Sequence, residues 1–106
     1  MRKSIRSHVA LAAILSMAGA VSFAQSGQDT YKAKCQSCHG ATGMADTGAG
    51  KAMKVKPVND PDVKKLSQAD MIAVTTNGKG KMPAYKGKLT DDQIKAAVDY
   101  YISLGK

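Results

Sequence analysis

Tryptophan and glutamate are absent from these 106 residues, phenylalanine occurs once, proline three times, and there are only two cysteines. Two cysteines exclude a multi-disulfide scaffold. The poverty in large aromatics limits how much apolar surface the chain can bury with its own side chains. No apolar run is long enough for a membrane span: the most hydrophobic stretch, Val9 to Val21, gives about 20 Å of helix at ~1.5 Å per residue, against a ~30 Å hydrocarbon layer. The length allows one small domain and argues against a multidomain enzyme. What the chain does have is positive charge, 16 Lys+Arg against 8 acidic residues, all of them Asp.

Residues 1–24 are expected to be a cleaved secretory signal peptide. Arg2, Lys3 and Arg6 form a basic start, Val9 to Val21 the apolar centre, and Ser22-Phe23-Ala24 a small-x-small cleavage site, so that the mature domain covers 25–106. No cysteine follows the cleavage site to take a lipid, and Arg2-Lys3 is not a twin-arginine pair. The expected destination is a bacterial periplasm, with no membrane span once the leader is removed.

Without the leader the domain has 13 Lys, no Arg, 8 Asp, and 31 hydrophobic residues of which ten are Ala. That is a thin core. Domains near this length usually need a disulfide, a metal or a large cofactor to offset the entropy of ordering the chain. A non-protein group is expected to complete the interior.

The pattern is all-α, with no alternating strand run. Gly27, Tyr31, Cys35 and Cys38 share one face of a helix expected over Gln28 to Cys38. Gly40 to Gly50 reads as loop. Asp60-Pro61 starts a short helix with Val63 and Leu66 as its apolar edge. Ser67 starts another, with Asp70 three residues on, that Gly78 stops. Thr90 and Gln93 form a capping-box pair ahead of the stripe Ile94, Ala97, Val98, Tyr101 and Ile102.

The informative motif is Cys35-Gln36-Ser37-Cys38-His39, a C-x-x-C-H run that reads as a c-type haem attachment site. Two thiols three residues apart on one helical turn can reach the two vinyl groups on one haem edge, and the adjacent imidazole falls under the iron as proximal ligand. Three simpler readings compete. A disulfide between residues this close closes too short a loop to stabilise much and gives His39 no task. A structural zinc site needs about four ligands, whereas the mature chain offers three strong ones. A thioredoxin-like pair should sit beside a βαβ pattern, which is missing.

With that motif in place, the sequence resembles the class I cytochromes c, and is most similar to the small bacterial and algal photosynthetic-type monohaem carriers. The resemblance covers nearly all of Gly27 to Leu104. Gly27 and Tyr31 match the family's Gly–aromatic pair on the N-terminal helix, and Val98 and Tyr101 the aliphatic and aromatic positions that meet it from the C-terminal helix. The fold this implies is three to four helices wrapped around one covalently attached haem c.

Asn77 to Tyr85 contains Met82-Pro83-Ala84-Tyr85, which looks like the family's Met-Pro-x-aromatic segment and implies Met82 as the distal iron ligand. Alone, such a Met is more often a loop anchor or gap-filler. Met53 is the rival ligand; Met44 lies too near His39 to pass around the ring edge, and Met71 is expected in the core. The resemblance also implies that a proline carbonyl, here that of Pro57, orients the proximal His. Tyr85 is expected to pack near the haem edge or to line the core.

A six-coordinate iron held by His39 and Met82 implies a one-electron carrier rather than an enzyme, docking transiently on acidic redox proteins or membrane electron-transfer complexes through Lys79, Lys81, Lys86 and Lys88. Scattered lysines are more often a solvated face. Nucleic acid is not an expected partner, since arginine and interleaved aromatics are missing, and a monomer is expected. The alternative is a haem site with an open distal position, a gas sensor or weak peroxidase. Carbon monoxide binding by the reduced protein separates the two.

Overall fold

A computed structural model describes residues 23–106; the expected leader lies outside the described residues except for Phe23 and Ala24, which open the first helix. Among the described residues six helices follow in order: α1 Phe23–Lys34, α2 Gln36–His39, α3 Gly48–Ala52, α4 Pro61–Lys64, α5 Gln68–Asn77 and α6 Asp91–Leu104. Among the described residues there is no strand, only the isolated bridges Lys79–Met82 and Lys86–Leu89. The all-α expectation is met, with more and shorter helices than the three to four anticipated.

The three cap expectations hold. Asp60 caps α4 by accepting from the Asp62 N–H at 2.9 Å, with Pro61 in the first turn, where the missing N–H costs nothing. Ser67 and Asp70 form a reciprocal capping box on α5, and Thr90 and Gln93 another on α6, each worth about 1 kcal/mol. Gly78, at φ +79°, ends α5.

Two features depart from the sequence reading. The helix expected over 28–38 breaks at Cys35, where φ is −117°, although Cys35 N–H still reaches the Tyr31 carbonyl at 2.9 Å and His39 N–H the Cys35 carbonyl at 3.0 Å. The second is α3, inside the stretch read as loop. Thr47 accepts from the Gly50 N–H at 2.9 Å and donates to the Ser37 carbonyl at 2.7 Å, which pins α3 onto α2. Gly50 is buried there, and a Cβ would run into the Cys38 carbonyl.

The core lies where α1 packs across α6, with α5 also on α6. The helices approach closely because Gly27 has no side chain: a Cβ would overlap the Ala96 carbonyl. Gly27 therefore meets Ala96, whereas Tyr31 meets Tyr100 and Tyr101, at ring centroid distances of 5.2 and 6.2 Å. Tyr31 and Ile94 are the largest fully buried side chains, with Ala97 and Val98 beside them. For a domain of this length that is a small protein core, as the composition implied.

Candidate haem site

A mostly apolar cavity of about 500 Å³ opens beside the α1–α6 contact, within the roughly 300–1,000 Å³ usual for small-molecule and cofactor sites. Cys35, Cys38 and His39 line it, and so do Met82, Pro83 and Tyr85 from the loop after α5. Val55, Val63, Leu66 and Val74 add apolar surface, and α6 contributes Ala97, Val98 and Tyr101. The structure thus brings together all four residues expected from sequence to hold the haem.

The α1–α2 segment is fixed by packing. The Tyr31 hydroxyl donates to the Gly40 carbonyl at 2.6 Å, just beyond His39. Burial pushes the Tyr31 phenol well above its usual range, so it stays a donor. The His39 ring lies edge-on to Tyr101 at 5.1 Å. Burial lowers the His39 pKa and so favours the neutral imidazole, the form that ligates a metal. Its Nδ1 is buried without a hydrogen-bond partner, while the Pro57 carbonyl accepts from Asp60 N–H at 2.9 Å. The expected Pro57–His39 hydrogen bond is therefore not made. Burial pushes the Cys35 thiol up to about 11, and the neighbouring Cys38 adds to the shift. Both cysteines are half-buried and are not joined to each other in a disulfide.

The Met82 loop is shaped by backbone pairing. Lys79 and Met82 exchange hydrogen bonds of 3.1 and 3.0 Å across Gly80-Lys81, with Gly80 at φ +57°, the signature of a hairpin turn with glycine first. Gly78 is closely framed: a Cβ would sit 2.9 Å from both the Met82 carbonyl and the Ala84 nitrogen. Tyr85 lines the cavity and donates its hydroxyl to the Lys34 carbonyl at 2.8 Å. Burial, and then the nearby Cys35 and Cys38, raise its pKa.

Met53 also lines the cavity, so it keeps its place as the rival to Met82; Met71 lines it as well, half-buried, rather than sitting in a sealed core. Met44 is exposed and away from it. Beyond Met53, the sequence reading missed residues 54–56 as a lining element. There α3 ends at Met53 and the chain turns through Lys54 at φ +56°, left-handed for a residue that is not glycine.

Two thiols, a neutral imidazole and a thioether around an apolar cavity form a donor set suited to haem, and the small protein core leaves room for it. Residues 22–100 match the family described as cytochrome c oxidase, cbb3-type, subunit III. The chain is 39% identical over 79 residues to cytochrome c6 of Leptolyngbya boryana, covering 74% of this chain and 89% of that protein. It is 36% identical over 81 residues to cytochrome c-551 of Halorhodospira halochloris, covering 73% and 95%. Among solved structures, the KustC0563 c-type cytochrome superposes with a TM-score of 0.69 at 28% identity, over 76% of this chain and 98% of that one.

The chain belongs to the class I c-type cytochromes, the small monohaem group. Like them it carries one covalently attached haem c and is an electron-transfer protein rather than an enzyme.

Proposed function

We propose that this chain is an exported, periplasmic one-electron carrier in which Cys35 and Cys38 hold the haem through thioether bonds, His39 is the proximal iron ligand and Met82 the distal one. The observation that carries the reading is the meeting of these four side chains in one apolar cavity. Residues 1–24 are the leader and 25–106 the carrier domain.

Bound there, the haem supplies a one-electron couple whose potential methionine ligation raises. The protein's part is to hold the ligands and exclude water. Tyr31 anchors the turn after His39 through the Gly40 carbonyl, and burial favours the unprotonated imidazole. The Lys79–Met82 hairpin presents the thioether, and Val55, Val63, Leu66 and Val74 keep the surroundings apolar. Held by His39 and Met82, the haem would leave no position for a substrate and would supply outer-sphere one-electron transfer.

Met82→Ala tests the ligand set. The oxidised wild type should show a sulfur-to-iron charge-transfer band that the variant lacks, and the reduced variant should bind carbon monoxide that the wild type excludes. A band that survives the substitution would transfer the role to Met53.

Lys34, Lys54, Lys56, Lys79 and Lys81 line the cavity, with Lys86 and Lys88 exposed nearby. This charge favours acidic redox proteins or membrane electron-transfer complexes as transient partners. Electron-transfer rates with such a partner should fall as ionic strength rises; rates insensitive to salt would remove the steering role.

A further inference from the structure

The Met82 loop is tied down mainly by its sequence neighbours. Beyond the Lys79–Met82 pairing, the Tyr85 N–H reaches the Thr75 carbonyl at 3.0 Å and the Lys86 N–H the Thr76 carbonyl at 3.1 Å, both near the end of α5. Lys88 and Leu89 both donate to the Tyr85 carbonyl. One bond is different in kind: the Tyr85 hydroxyl donates to the Lys34 carbonyl at 2.8 Å, across a sequence separation of 51. Among the described residues it is the only hydrogen bond joining this loop to the segment that carries Cys35, Cys38 and His39.

The acceptor is free for a structural reason. Lys34 is the last residue of α1, and a helix leaves its final carbonyls without intrahelical partners. Because the chain breaks at Cys35, the Cys38 N–H bonds the Cys35 carbonyl at 3.2 Å instead of reaching back to Lys34. The phenol takes the place of the missing donor. Lys88 Nζ lies 6.0 Å from the centroid of the same ring.

We infer that Tyr85 is a positioning residue, whose hydroxyl latches the Met82 loop to the end of α1 and so sets how readily an external ligand displaces Met82. The inference rests on Met82 being the distal ligand. Without the hydroxyl the ring still packs, but the loop is held only to α5 and to itself. A net hydrogen bond at a half-exposed site changes a two-state population by about three- to tenfold. The apparent affinity for an external ligand scales with the open fraction.

The test uses the haem-loaded, oxidised protein titrated with imidazole and followed by its visible spectrum. Tyr85→Phe should bind imidazole about three- to tenfold more tightly than wild type while keeping the methionine charge-transfer band when imidazole is absent. Ile94→Val, buried away from the cavity, should lower overall stability and leave imidazole affinity unchanged. Wild-type affinity in Tyr85→Phe, or an equal shift in Ile94→Val, would overturn the latch. A wild-type protein without the band would overturn both the latch and the ligand assignment, whereas the band with an unchanged affinity overturns the latch alone.

Discussion

The two segments that bring the candidate ligands to the cavity are held by different means. The Cys35–His39 segment is fixed by tertiary packing: α1 lies across α6, Tyr31 is 1% exposed, Thr47 bonds the Ser37 carbonyl, and Gly50 sits against the Cys38 carbonyl. The loop from Gly78 to Leu89 has exposed lysines, bonds mostly to its own neighbours and, among the described residues, reaches the other segment by hydrogen bond only through Tyr85. Regions with few buried contacts open first, at less than the cost of global unfolding. On the ligand set proposed above, the difference teaches a division of labour: permanent covalent attachment falls on the lining that stays put, and the exchangeable ligand on the lining that can move.

The strongest way to break this comparison is to remove the attachment. With Cys35→Ala and Cys38→Ala together, intact mass should equal that of the bare processed peptide, and far-ultraviolet circular dichroism should show a loss of helix. A protein that kept its haem mass would refute the attachment assignment.

The next test is Gly27→Ala. The added methyl overlaps the Ala96 carbonyl, and overpacking of this kind costs about 1–3 kcal/mol, read as a lower denaturant midpoint with the methionine band intact. The smallest effect on global stability belongs to Gly78→Ala. Its φ of +79° with ψ of 163°, a backbone region essentially confined to glycine, and the 2.9 Å approach to the Met82 carbonyl impose a penalty of about 1–3 kcal/mol, which should appear as a weakened band and easier imidazole binding more than as a shifted midpoint. If the two glycine variants moved both readouts alike, the distinction between the segments would disappear.

Much of this was legible in the chain because the signals are local. Asp60-Pro61, Ser67 with Asp70, and Thr90 with Gln93 are caps made between residues two or three apart, and they start the helices they were expected to start. The C-x-x-C-H run is five consecutive residues, and the thin core could be counted. What could not be read depends on residues far apart. Gly48 and Gly50 disfavour helix by propensity, yet α3 forms because Thr47 caps it and because Gly50 alone fits against Cys38. The break at Cys35 is invisible to periodicity, since Gly27, Tyr31, Cys35 and Cys38 keep their spacing through it. The expected Tyr31–Tyr101 contact is made, but the close fit of Gly27 is against the backbone of Ala96, which no side-chain pattern reveals. Tyr85 had two candidate roles by sequence, and neither was its bond to a main-chain oxygen in another helix.

The buried tyrosines carry one further consequence, for behaviour in alkali. Burial pushes the Tyr31 phenol far above the usual value near 10 and the Tyr101 phenol up to about 12. Groups raised in this way contribute stability that is complete below pH ~10 and is lost as the pH climbs towards their folded values. Tyrosinate forms in this interior only at a cost in stability. Ultraviolet absorbance from ionised Tyr31, which is 1% exposed, should therefore rise together with the collapse of helical structure.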